Sequence, residues 1–241
     1  MRVTVLTLFP EMFPAALHAS IIGGASTKGL VEFNLVNIRD FALDKHQVTD
    51  DAPYGGGPGM IMKAEPIYRA VRSLETGGTR PIIILLSPRG KTYNQAMARE
   101  LAGETDIALL CGHYKDVDER VRAMVDRDIS IGDYILSGGE VAALAVIDSI
   151  VRLLPGAISD PGSADRDSFE TGMLDHPHYT RPEEFEGMRV PDILRSGNHA
   201  VIRRWRRQQA LLITRRLRPD LLEKTELSTD DRKLLDDDDI R

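Results

Sequence analysis

Cysteine is nearly missing from this chain: Cys111 stands alone among 241 residues. That excludes an intrachain disulfide and a cysteine-rich zinc site. Long apolar runs are missing too, and none reaches the roughly 18 residues that suggest a membrane span. Residues 1–10 are apolar for too short a stretch to make a signal peptide; their alternation and closing proline read as a strand and a turn. These absences predict a soluble, cytoplasmic protein without a membrane partner. Two nucleotide motifs are absent as well. Gly90-Lys91-Thr92 suggests a P-loop, but that motif needs glycine where position 85 is leucine. No G-x-G-x-x-G follows the first strand. Of six histidines, only His176-Pro177-His178 brings two close together, whereas a metal ion usually takes roughly three or four ligands. No metal site is predicted, and no internal repeat is visible.

What is present is a hydrophobic fraction of 42%, ample for a packed core, and a net charge of −6 that hides a segregation. Arg195, Arg203, Arg204, Arg206, Arg207, Arg215, Arg216 and Arg218 follow one another with no acid between them. Acids then dominate from Asp220 to the terminal run Asp236-Asp237-Asp238-Asp239. The basic stretch is a candidate for polyanion contact, and the acidic tail reads as a solvated end.

Strand and helix signals alternate, which predicts an α/β fold on a parallel sheet. Strands are expected at 3–8, 31–38, 81–86, 106–111 and 128–131. Helices are expected at 11–22, 64–74, 94–101, 116–124 and 138–154, the last stopped by Pro155-Gly156. Residues 40–62 read as a long loop and 157–180 as a linker or mobile loop. Short helices are expected at 182–186, 198–217 and 230–235.

Four glycine-punctuated segments stand out: Pro53-Tyr54-Gly55-Gly56-Gly57-Pro58-Gly59-Met60, Leu86-Ser87-Pro88-Arg89-Gly90, Cys111-Gly112-His113-Tyr114, and residues 131–140, whose sequence is IGDYILSGGE. Three follow strand-like runs, and strand ends are where open α/β sheets bind ligands. A pocket of main chain and apolar residues suits a neutral or zwitterionic ligand with an adenine ring. Asp167 lies in the polar linker. Its local pattern fits a solvated Asx turn or a general base carried on a loop. The helix from Asn198 sets Trp205 among arginines, either as a solvated amphipathic helix or as a phosphate-binding one.

Together these segments resemble the bacterial tRNA (guanine-N1)-methyltransferase family, which modifies the guanosine at tRNA position 37. The matching stretches also include Thr7-Leu8-Phe9-Pro10-Glu11-Met12-Phe13, Asp118-Glu119-Arg120-Val121, Asp167-Ser168-Phe169, Pro177-His178-Tyr179-Thr180-Arg181-Pro182 and Ser196-Gly197-Asn198-His199. The resemblance implies a SPOUT-type parallel sheet with a C-terminal trefoil knot over residues 1–156. It further implies a linker at 157–176 and a small all-helical tRNA-binding domain at 177–241. A homodimer is implied, binding S-adenosylmethionine at Leu86, Ser87, Pro88, Gly112, Ile131, Gly132, Asp133, Tyr134, Ile135, Leu136, Gly138 and Gly139. Asp167 is the implied general base, and Arg152 stabilises charge on the guanine oxygen. The tRNA partner falls to His178, Tyr179, Asn198, His199, Arg203, Arg204 and Arg206. One departure stands out: many members read Gly-Arg-Tyr-Glu-Gly where this chain has Gly112-His113-Tyr114-Lys115-Asp116. The family glutamate is linked to catalysis and divalent metal, so an Mg²⁺ requirement is left open. Two alternatives stand beside this reading: a non-catalytic RNA-binding protein of the same fold, and a knotted methyltransferase for another RNA.

Overall fold

The computed structural model describes residues 1–75, 78–158 and 166–236. The chain divides into two compact units, Met1–Pro161 and Gly162–Arg241. The first unit carries strands β1 (Arg2–Thr7), β2 (Glu32–Asn37), β3 (Asp50–Asp51), β4 (Ile61–Met62), β5 (Ile82–Thr92), β6 (Asp106–Cys111), β7 (Asp116–Val117) and β8 (Arg127–Ser130). The main sheet has the order β2-β1-β6-β5-β8 and is parallel throughout.

The reason lies in the apolar runs. Residues 82–86 and 107–111 offer no polar face to water, so both sides of β5 and β6 must be covered. Alternation along the strands sorts their side chains between two cores. Ile84, Leu86, Ile107, Leu109 and Cys111 join Val3 and Val5 against helices Gln95–Ala102 and Glu140–Val151. Ile83, Leu85, Ala108 and Leu110 join Leu6 against helix Ala64–Arg72.

Several expected elements change form. The helix expected at 11–22 splits, because Pro14 has no N–H to continue a helix and opens its own short turn, Pro14–Leu17. Ser20 then takes φ of 49°, and a new helix runs Ser20–Thr27. The long loop at 40–62 holds β3 and β4, and the expected helix at 116–124 gives up Asp116 and Val117 to pair with β4. What remains is a 3-10 turn, Glu119–Met124, capped by Asp118. β5 also outruns its apolar stretch. Ile129 of β8 faces both Leu86 and Lys91, so the residues between them bulge from the ladder. No helix among the described residues is long and apolar enough to cross a membrane.

In the second unit helix His199–Leu217 is capped by Asn198, whose Oδ1 accepts from Ala200 N at 3.2 Å and Val201 N at 3.3 Å. It buries Ile202, Trp205 and Leu211, and Leu211 packs with Met173 and Leu234. Short helices Asp192–Arg195 and Pro219–Leu222 flank it, and helix Thr229–Asp236 packs on it. Residues 182–186 are not helical, so this unit is not all helix. Strands β9 (Glu184–Phe185) and β10 (Met188–Arg189) form a hairpin turned by Glu186 and Gly187 at φ 51° and 76°, the backbone a tight two-residue turn requires. Residues 159–165 of the expected linker, and the acidic tail after Asp236, lie outside the described residues.

Arg207 locks the last helix with two bonds to Asp231, at 2.7 and 2.9 Å, and Ser228 adds a third through its hydroxyl at 2.8 Å. This network holds the Asp231 carboxyl below the ordinary carboxylate range, Arg207 contributing most. A carboxyl depressed in the folded state stabilises the fold above its unfolded value of about 3.9 and loses that contribution as pH falls further. The protection factors of the Thr229–Asp236 amides, their exchange rates taken relative to the intrinsic rate at each pH, are therefore expected to fall as pH drops below about 4. Asp231→Asn should expose them already at neutral pH, and an unchanged pattern would contradict this.

Candidate active site

The carboxyl ends of β5, β6 and β8 enclose a cavity of about 120 Å³. Its walls are Leu86, Ser87 and Pro88 from the β5 bulge, residues 112–116 after β6, and Ile129, Ser130, Ile131, Gly132 and Tyr134 around the end of β8. Ile135, Leu136, Ser137, Gly138, Gly139 and Ala142 close it. The cofactor positions expected from sequence thus converge here, with one exception. Asp133 is exposed and is not among the lining residues. His113, Tyr114, Lys115, Asp116, Ile129, Ser130, Ser137 and Ala142 are additions. Ala142 was legible in principle, since it lies one helical turn beyond Gly138 and Gly139. Two roomier clefts, about 1090 and 1230 Å³, lie at the amino ends of the strands and beside β4 and β7. The smaller cavity is the candidate because it occupies the strand-end position where such sheets bind ligands.

Two glycines make the enclosure possible. A Cβ on Gly139 would lie 2.8 Å from Cys111 Cα, and Gly139 N donates to the Gly112 carbonyl at 2.8 Å. A Cβ on Gly138 would fall 2.2 Å from Glu140 Oε2 and 2.4 Å from His113 Nδ1. Beneath them Glu140 is 2% exposed and accepts from Thr7 Oγ1 at 2.7 Å. His113 Nδ1 lies 3.8 Å from Glu140, its ring against Phe9 at 4.8 Å and Tyr114 at 4.9 Å. Burial, with Glu140 adding to it, pushes the Cys111 thiol well above its usual range. Cys111 is therefore a protonated core residue and no nucleophile.

The opposite wall is held by Arg122. It pairs with Asp128, lies 3.5 Å from Asp116 and donates to Ser87 Oγ at 3.3 Å. Ser87 and Asp116 both line the cavity, so one guanidinium ties the β5 bulge to β7.

Residues 1–224 match the model of the family described as tRNA (guanine-1)-methyltransferase TrmD. The chain belongs to the TrmD family. A tRNA (guanine-N(1)-)-methyltransferase of Moorella thermoacetica is 56% identical over 240 residues, spanning 98% of this chain and 96% of that protein. The Brevibacillus brevis protein of the same name is 54% identical over 236 residues, spanning 98% of this chain and 97% of its own. The crystal structure of the tRNA (m1G37) methyltransferase from Aquifex aeolicus superposes with a TM-score of 0.76 at 41% identity, covering 93% of this chain and 95% of that one.

Within this TrmD family member the catalytic candidates lie in separate units. Arg152 is the half-buried C-cap of helix Glu140–Val151 in the first. Asp167 is half-buried in the second, where its carbonyl accepts from Glu170 N at 3.2 Å. His199, Arg203 and Arg206 fall on one exposed face of their helix, with exposed Arg204 beside it. Asn198 is occupied as the helix cap, His178 is bonded to Asp175, and Tyr179 is exposed. At the family departure, Lys115 is exposed on the cavity wall beside the Arg122-paired Asp116.

Gly138→Ala is expected to destabilise the fold by about 1–3 kcal/mol, the usual cost of overpacking. It should also distort the His113–Glu140 wall. A urea melt equal to that of the parent protein would refute this account of the wall.

Proposed function

We propose that this tRNA (guanine-N1)-methyltransferase modifies the guanosine at position 37, using S-adenosylmethionine held in the strand-end cavity. The observation that carries the reading is the convergence of the three glycine loops on that cavity. The residues present fit such a group. Main chain lines the cleft where a Cβ on Gly138 or Gly139 would intrude, and Leu86, Ile131 and Leu136 offer apolar surface to an adenine. The assigned cofactor contacts are Leu86, Ser87, Pro88, Gly112, Ile131, Gly132, Tyr134, Ile135, Leu136, Gly138 and Gly139, without Asp133.

When bound, the cofactor supplies an electrophilic sulfonium methyl. Guanine N1 carries a proton at neutral pH, and Asp167 takes it, freeing the nitrogen lone pair for the methyl. Arg152 donates to the guanine oxygen as negative charge grows there. His178, Tyr179, Asn198, His199, Arg203, Arg204 and Arg206 are assigned to tRNA, the arginines to its phosphates. Lys115, which reverses the charge of the family glutamate, points to a changed magnesium demand.

The domain reading is a SPOUT-type knotted domain at 1–156, a linker at 157–176 and a tRNA-binding domain at 177–241. The knot is supported by the tight passages at Gly90 and Gly139. A homodimer in the cytoplasm completes the picture. It is supported by exposed apolar residues, with Ile135 81% exposed and Val141 50% exposed.

Methyl incorporation into two tRNA transcripts that differ only in guanosine or adenosine at position 37 tests the reaction. Label in the guanosine transcript alone is the expected result. Incorporation into neither, with tRNA still bound, would favour a non-catalytic RNA-binding protein. Asp167→Asn is expected to slow turnover by about 10²–10⁴-fold, the usual worth of a positioned base. Cofactor affinity should stay unchanged, and full activity in that variant would remove Asp167 from its role.

A further inference from the structure

Among the described residues, one group of histidine and carboxylate side chains brings ligand atoms together. Those of Asp175, His176 and His178 all lie within 4.8 Å of one another. The hydrogen bonds around them fix which atoms are available. His176 Nδ1 is 2.9 Å from the Pro177 carbonyl oxygen. A carbonyl only accepts, so Nδ1 carries the proton. In the neutral ring Nε2 then holds a lone pair, and it lies 3.7 Å from Asp175 Oδ1. Those two atoms are too far apart for a hydrogen bond and both are electron-rich, so they repel unless a cation lies between them. A ring nitrogen that donates to a backbone carbonyl orients a histidine and leaves its other nitrogen free to ligate.

The carboxylate is held in place independently. Asp175 N donates to Ser168 Oγ at 2.9 Å, and Asp175 Oδ1 accepts from His176 N at 2.7 Å. His178 Nε2 lies 2.9 Å from Asp175 Oδ2. Its side chain is 70% exposed, which leaves the ring room to turn and shift its proton to Nδ1. The two imidazole rings sit with centroids 4.4 Å apart.

We propose that Asp175, His176 and His178 bind a first-row divalent metal ion, zinc by the character of its donors, at the surface of the second unit. Two imidazole nitrogens and one carboxylate oxygen, with the last position left to water, form a zinc set. Magnesium and calcium take oxygen-rich sets instead. Counting histidines alone stops at two ligands; the third is the carboxylate directly before His176. The ion fastens residues 175–178 to one another beside Trp205, whose ring lies 6.4 Å from that of His176. The site uses none of the groups assigned to catalysis and shares only His178 with those assigned to tRNA.

The test uses the untagged full-length chain, stripped with a chelator. It is titrated with Co²⁺ by visible absorption, and with Zn²⁺ in competition with a chromophoric chelator. Uptake of one equivalent is expected. Losing even an outer partner of a ligand costs about 10–100-fold in affinity, so His178→Gln and Asp175→Asn should each lose at least that much. His46→Gln, an exposed histidine of the first unit, should bind as the parent does. Because the His178 side chain is largely exposed, its variant keeps the fold, which circular dichroism checks. No stoichiometric uptake by the parent chain overturns the proposal, and so does unchanged affinity in His178→Gln.

Discussion

Main chain lies against main chain where β5, β6 and β8 end, and the first unit's ligand-facing surface follows from that contact. A Cβ on Gly90 would stand 2.4 Å from Ile129 N, and one on Gly139 2.8 Å from Cys111 Cα. Without side chains in the way, three strand ends and the start of helix Glu140–Val151 close on one crevice. Glycines and apolar side chains share its walls. The bulge after Leu86 belongs to the same constraint, since it lets β5 rejoin β8 on the far side of the cavity.

Glu140 is the one acidic group at the floor of this arrangement, and its burial has to be compensated. The Thr7 hydroxyl supplies a hydrogen bond at 2.7 Å, and the first turn of the helix sets its positive end at the carboxylate. Thr7 Oγ1 in turn accepts from Phe9 N at 2.9 Å. The chain leaving β1 is thereby fixed to the helix that closes the cavity. Phe9 reaches the same place from the other side by packing on His113. Arg122 does the corresponding work on the facing wall, where it compensates Asp116 and Asp128 together.

The sheet was legible because its signal is local. Residues 82–86 and 107–111 are apolar at every position, and strands buried on both faces leave that trace. The cavity was legible for a related reason, as glycine after a buried strand marks close backbone approach. What escaped depends on distant partners. Asp116 and Val117 carry a helical pattern that yields to pairing with β4, which lies more than fifty residues earlier. Ser20 gives no warning of its positive φ. Asp133 sits inside a glycine loop whose neighbours line the cavity, yet it turns outward, because sequence adjacency fixes the loop and not the direction of each side chain. In the second unit residues 182–186 carry a helical pattern, yet 184–189 form a hairpin, although Glu186-Gly187, a glycine preceded by a residue able to take positive φ, is a turn signal. The roles proposed for Asp167 and Arg152 come from family likeness, since neither has a local pattern that separates a catalytic group from a solvated one.

Trp205 is the only tryptophan in the chain, and it is buried in the second unit. Indole emission therefore belongs to that unit alone, whereas far-ultraviolet dichroism weighs helices and strands from both. Following one thermal melt with the two signals would separate events that either signal alone would merge. If the two curves coincide, the units unfold as a single cooperative body. If emission shifts first, the helical unit opens while the sheet still stands, and each unit then has a stability of its own.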